Sequence, residues 1–158
     1  MPVIGLQAGV TQLAAGGFHT CALVSGGVKC WGYNADGALG NGSLNDSATP
    51  TPVQGLSFGV IAIAAGKYHT CAIVTGGTIR CWAYNSNGQL GNNSINASKT
   101  SAPVTVSNIA SGTTAIALGT AHTCAVVAGG LQCWGRNPEG QLNDGSVSEK
   151  HVPSPSRH

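Results

Sequence analysis

The strongest constraint on this chain is that one passage occurs three times. "HTCALVSGGVKCWGYNADGALGNGS" from His19 returns as "HTCAIVTGGTIRCWAYNSNGQLGNNS" from His69 and as "HTCAVVAGGLQCWGRNPEGQLNDGS" from His122, 50 and 53 residues apart in a chain of 158. Self-similarity at such a period means that one supersecondary unit is stacked several times, each copy burying its apolar face against the next. Each copy runs through a short alternating apolar segment, a Cys-bearing segment and a Gly-containing turn. A second Cys-bearing segment ending in Trp and an Asn/Gly-rich loop complete it. That order reads as several short strands. Nowhere do apolar residues keep the three-and-four spacing of a capped helix, so an all-β chain is expected.

About four strands in roughly 50 residues point to β-propeller blades, small antiparallel sheets packed radially, with a stacked solenoid as the alternative. Composition fits short strands and many turns: 24 Gly and only 8 % charged residues. The seven Lys and Arg are scattered singly, so no basic stripe is present to track a phosphate backbone, and no nucleic-acid partner is expected. The longest nearly apolar run, "GVIAIAAG" at 59–66, falls far short of the roughly 18 residues a membrane helix needs. Residues 1–20 show no secretory leader, which a mature chain would have lost in any case.

The stretch "AAGGFHTCALVSGGVKCWGYNADGALGNG" resembles the repeat of the regulator of chromosome condensation family, which runs from an Ala-Gly and His segment through "WG-N--GQLG". The other two copies match it as well, so the resemblance covers almost the whole chain. Departures are local: Ala83 stands where Gly32 and Gly135 stand, and Asn143 replaces the Gly of the "LG" pair. The resemblance implies a propeller. It also implies roles as different as nucleotide exchange on a small GTPase, β-lactamase inhibition and ubiquitin-ligase accessory domains, among which a shared fold does not choose.

The six cysteines form three pairs: Cys21 and Cys30, Cys71 and Cys81, Cys124 and Cys133. If each pair is directly opposed across a hairpin, the first and third close through Ser25-Gly26 and Ala128-Gly129. The second then needs Thr75-Gly76-Gly77, a type I turn followed by left-handed Gly77. Directly opposed residues lie within the span a disulfide tolerates. In the competing register, with a Gly-Gly turn in every copy, Cys71 and Cys81 fall on opposite faces and the thiols pack as reduced core residues. Zinc would need closer ligand spacing, so His19, His69 and His122, two residues before a Cys, are read as structural and no metal or cofactor is expected. Paired cysteines in every copy favour an oxidising, extracellular setting.

Five carboxylates, Asp36, Asp46, Glu139, Asp144 and Glu149, never recur as a set, so no hydrolytic centre is expected. Trp31, Trp82 and Trp134 follow the second Cys of each pair and point to the opposite strand face. They either pack between blades or, with Tyr33, Tyr84 and Arg136 two residues on, make a partner surface of hot-spot residue types. Sequons begin at Asn41, Asn45, Asn92 and Asn96, at matching places in two copies. A glycan-binding, lectin-like propeller is the remaining alternative function.

The segments "PVIGL" at 2–6, "PVQGL" at 52–56 and "PVTVSNI" at 103–109 read as one strand of the unit, with Pro52, Pro103 and Pro155 equivalent. The chain then divides into units of about 7–56, 57–107 and 108–158, with 2–6 as a blade-closing strand. Three blades are too few for the usual four-to-eight-bladed ring. The expectation is a self-assembling, non-enzymatic scaffold and protein-interaction module. Pro2, Val3, Gly5 and Leu6 of one chain would follow Pro155 of another, closing a six-bladed homodimer head to tail. An extracellular structural filament and a piece of a longer propeller are the alternatives.

Overall fold

The structure, a computed structural model, describes residues 1–94 and 96–155. The described residues form twelve strands and no helix. Blade 1 contains β1 (Val10–Ala15), β2 (His19–Val24), β3 (Gly27–Gly32) and β4 (Ser47–Pro52). Blade 2 contains β5 (Val60–Ala65), β6 (His69–Val74), β7 (Ile79–Tyr84) and β8 (Lys99–Thr105), and blade 3 contains β9 (Thr113–Leu118), β10 (His122–Val127), β11 (Gly130–Gly135) and β12 (Lys150–Pro155). Each blade is a four-stranded antiparallel sheet in sequence order, and the first strands of successive blades approach one another.

Each blade is built around its central hairpin. Cys21 faces Cys30, Cys71 faces Cys81 and Cys124 faces Cys133, and all three pairs are disulfide-bonded with Cα atoms 4.1 Å apart. Ser25 (φ 50°) and Gly26 (φ 81°) make a two-residue turn with both residues left-handed, and Ala128 and Gly129 repeat it at 50° and 82°. In blade 2 the extra residue gives the loop Thr75-Gly76-Gly77, with Gly77 at φ 84°. Gly76 also has positive φ, 94°, so the turn there is not the type I turn expected from the sequence.

Two other expectations need correction. Residues 3–6 and 53–56 are turns rather than strands: Leu6 N–H donates to Val3 O and Leu56 N–H to Val53 O. Left-handed Gly5 (φ 77°) and Gly55 (φ 70°) bend the chain, as Asn108 (φ 63°) does in blade 2. The residue equivalent to Pro52 and Pro155 is Thr105 rather than Pro103, because these three oppose Lys29, Gln132 and Arg80, each just before the second Cys of its pair. The loop before β8 is longer, so a count from the glycines misplaces the register.

After β3, β7 and β11 an asparagine turns inward and holds the following loop. Asn34 is fully buried. Its Oδ1 accepts Leu39 N–H at 2.9 Å, and its Nδ2 donates to Ser43 O and Asn45 O at 3.0 and 2.9 Å. Asn85 and Asn137 do the same through Leu90 and Leu142. A buried amide whose donors and acceptor are all used fixes a loop that has no ladder of its own.

Candidate interaction faces

The blades meet at two joints of one design. In the first, the back of blade 1 (Leu23, Val28, Leu39, with Val53 and Leu56 from the turn) packs on the front of blade 2 (Val60, Ile63, Ala72 and Trp82). The turn is pinned to the sheet by Val53 N–H donating to Val28 O and Val28 N–H to Leu56 O, at 3.0 and 2.9 Å. In the second, Ile79, Leu90, Val106 and Ile109 of blade 2 pack on Ala125, Ile116 and Trp134 of blade 3.

Polar contacts repeat with the apolar ones. Trp82 Nε1–H donates to Ala38 O and Trp134 Nε1–H to Gln89 O, both at 2.9 Å. Nearer the hub, His19 Nε2 meets Thr70 Oγ1 at 2.7 Å and His69 Nε2 meets Thr123 Oγ1 at 2.9 Å. Thr123 Oγ1 also donates to Gln89 O at 2.8 Å, so its proton is spent and the proton of that pair belongs to His69 Nε2. His69 Nδ1 is then an unprotonated, buried nitrogen without a partner. Burial lowers His19 from 6.5 to about 4. It lowers His69 to about 3, with the neighbouring imidazoles of His122 and His19 acting in the same direction. His122 is half-buried and is lowered by burial too.

At each end of the row half a joint lies open. On the front of blade 1, Trp31 is half-buried where Trp82 and Trp134 are 0 % exposed, and Leu13, counterpart of Ile63, is 70 % exposed. Trp31, Leu13, Val10 and Ala22 line a recess of about 270 Å³, together with Val3 and Leu6 of the N-terminal turn. On the back of blade 3, Leu131 is 47 % exposed, whereas its counterparts Val28 and Ile79 are 2 % and 0 %. Leu131, Val126, Ala115 and Ala117 surround a smaller recess of about 100 Å³. Pro155 pairs through its backbone with Gln132, and residues 156–158, where an incoming strand was expected, lie outside the described residues.

Of the two readings of the tryptophans, packing between blades holds for Trp82 and Trp134, and the alternative six-residue partner surface is only partly at the surface. Trp82 and Trp134 are sealed inside joints, because a residue beside the second Cys points across the sheet into the neighbouring blade. Tyr33 and Tyr84 are instead joined by two residues that sequence reasoning missed, Phe18 and Tyr68, which immediately precede His19 and His69. The rings form a strip, Tyr33–Phe18 at 6.1 Å, Phe18–Tyr68 at 6.4 Å and Tyr68–Tyr84 at 5.8 Å, with Lys67 Nζ 5.1 Å from the Tyr68 ring centre. A hollow of about 580 Å³ opens between Phe18, Tyr33 and Tyr68. In blade 3 the strip stops at Ala121, and Arg136 is paired with Glu139 at 2.9 Å. Of the sequon asparagines, Asn45 and Asn96 are exposed. Asn41 and Asn92 are partly buried, their Oδ1 atoms accepting Ser43 and Ser94 N–H. Among the described residues no three His, Cys, Asp or Glu side chains converge on a point that a metal ion would occupy.

Radially placed four-stranded sheets, locked face to face by an indole and an imidazole at each joint, define a β-propeller-repeat protein with three blades in the chain. It belongs to the regulator of chromosome condensation (RCC1) repeat family: one profile of that repeat matches residues 25–73, and a second matches 10–38, 60–89 and 114–141. The ultraviolet-B receptor UVR8 of Arabidopsis thaliana is 34 % identical over 149 residues, 91 % of this chain and 33 % of the receptor. In structure the chain is similar to Prp20p of Saccharomyces cerevisiae, with TM-score 0.82 and 20 % identity over 95 % of this chain and 39 % of that one. It is also similar to the ectodomain of the receptor kinase CR4 of Physcomitrella patens, with TM-score 0.52 and 26 % identity over 89 % of this chain and 34 % of that one. The chain thus spans between a third and two fifths of each of these proteins.

Proposed function

We propose that this chain is a protein-interaction module without catalytic activity that associates with a second copy of itself head to tail, the front of blade 1 seating on the back of blade 3. One observation carries the reading: the two open faces are the two halves of a joint that occurs intact twice within the molecule. Among the described residues the two halves offer complementary groups. His122 has no threonine where Thr70 and Thr123 serve His19 and His69, and Thr20 occupies that position on blade 1. Among the described residues no turn brackets Leu131 as residues 53–56 bracket Val28, and residues 3–6 form such a turn on the front face. Two copies would complete six blades if the rotation closes and a filament if it does not. The three disulfides suit an oxidising environment, and the likeness to a receptor-kinase ectodomain supports an extracellular placement. Prp20p has binding properties to Gsp1p and histones. For this chain, the aromatic strip is the surface proposed for a different protein partner. The association is tested by light scattering across protein concentration. The unaltered chain should show a mass above one chain, and Leu13→Asp or Leu131→Asp, both at exposed positions that leave the two internal joints untouched, should return it to one chain. A single-chain mass for the unaltered protein at every concentration overturns the reading.

A further inference from the structure

The internal joints also show what a tryptophan-bearing blade needs from the blade before it. In the loops after β3, β7 and β11, Gly40, Gly91 and Asn143 occupy the same place. Their φ values are 61°, 67° and 52°, and each N–H donates to the glycine carbonyl three residues back at 3.0 Å. The backbone is therefore the same in all three, and the difference is a side chain. A Cβ on Gly40 would lie 2.9 Å from Trp82 Nε1 and 2.8 Å from Val53 Cγ1, and on Gly91 it would lie 2.6 Å from Trp134 Nε1 and 2.9 Å from Cδ1. Such approaches are closer than packed atoms tolerate. Nor is the indole free to retreat, because its Nε1–H is held by the carbonyl two residues before the glycine, Ala38 in one joint and Gln89 in the other. The glycines are thus a requirement of the seated tryptophan, beyond the turn they make.

On the open back of blade 3 the corresponding carbonyl belongs to Gln141 and the corresponding glycine is replaced by Asn143, which is exposed. We propose that Asn143 is a brake on this face. It occupies the space that an incoming Trp31 indole would take, and so keeps head-to-tail association weak and reversible while leaving the rest of the joint complementary. This rests on the reading of the end faces given above and deepens it by naming the residue that sets their affinity. A steric element placed against an otherwise good partner is a general way of tuning which contacts persist.

The test compares dissociation constants for the unaltered chain, Asn143→Gly, Trp31→Ala and the double variant, by sedimentation velocity with all disulfides intact. Asn143→Gly should tighten association at least tenfold, and most of the gain should be lost in the Trp31→Ala background, because the indole is the main group the side chain obstructs, with Val3, in the place of Val53, as the lesser one. The converse substitution, Gly40→Asn, places the same obstruction in an intact joint and should lower the thermal midpoint and alter the near-ultraviolet dichroism of Trp82. If Asn143→Gly leaves the dissociation constant within twofold while Leu13→Asp still abolishes association, the brake is wrong and the reading of the faces stands. A gain that survives in full in the Trp31→Ala background also overturns the brake, since relief of a left-handed asparagine would then explain it. If neither the unaltered chain nor Asn143→Gly associates, the reading of the faces falls and the brake with it.

Discussion

Acid should loosen the hub of this molecule, and the size of the effect follows from two histidines. His19 and His69 are buried neutral, with values lowered from 6.5 to about 4 and about 3. An unfolded chain takes up a proton at each of them as pH falls through 6.5, and the folded chain does not until its own lower values are reached. Their contribution is therefore complete above pH 6.5 and is lost progressively as pH falls below it. Each pH unit between the two values costs about 1.4 kcal/mol per histidine. By pH 5, about 1.5 units down, the pair has lost on the order of 4 kcal/mol, a large share of the 5–15 kcal/mol typical of a domain. Burial lowers His122 as well and acts in the same direction. Urea unfolding followed by tryptophan fluorescence at pH 7, 6 and 5, disulfides intact, reads the slope directly. His69→Gln, which keeps a donor toward Thr123 but does not titrate, should remove about half of it. An unfolding free energy that stays flat from pH 7 to 5, or a His69→Gln chain with the full slope, would refute the argument.

Four further outcomes are expected. Asn34→Ala strips the loop after β3 of its acceptor for Leu39 N–H and its donors to Ser43 and Asn45, and should cost about 2–3 kcal/mol in urea unfolding. A loss below half a kcal/mol would show that water replaces the amide. Ala83 holds φ 85° where the other blades have glycine, and its neighbour's bond, Tyr84 N–H to Tyr68 O, is 3.2 Å against 2.9 Å in blades 1 and 3. Ala83→Gly should therefore raise the thermal midpoint, by up to about 1 kcal/mol of stability, whereas Gly32→Ala should lower it, because its Cβ would lie 2.6 Å from Phe18 O. Deleting residues 2–6 removes Val3 and Leu6, each worth roughly 1.5–3 kcal/mol if fully buried in the association. The truncated chain should scatter light as a smaller species, and an unchanged mass would mean that the N-terminal turn takes no part.

The blade was legible in the sequence because everything that makes it is local. Alternating apolar residues, Gly at the hairpin corners and cysteines nine or ten residues apart point to a unit of about four strands, while the choice between a cross-strand disulfide and reduced thiols rested on a hairpin register that the structure settles. The "N" of each "W-x-x-N" was visible as a recurring letter, but its burial and the loop bonds it makes depend on where the chain returns eleven or twelve residues later. Pattern alone misled where one residue type serves two geometries. Val-x-Gly-Leu alternates like a strand, yet its left-handed glycine makes a turn, and Pro103 looks like Pro52 although a longer loop shifts the register to Thr105. The three tryptophans are nearly identical in their local sequence, and two are sealed while one is half-open. Only the tertiary structure decides that, because exposure belongs to the neighbouring blade: Trp82 and Trp134 have a carbonyl and a glycine waiting for them, and Trp31 faces a surface that no other part of the described chain covers.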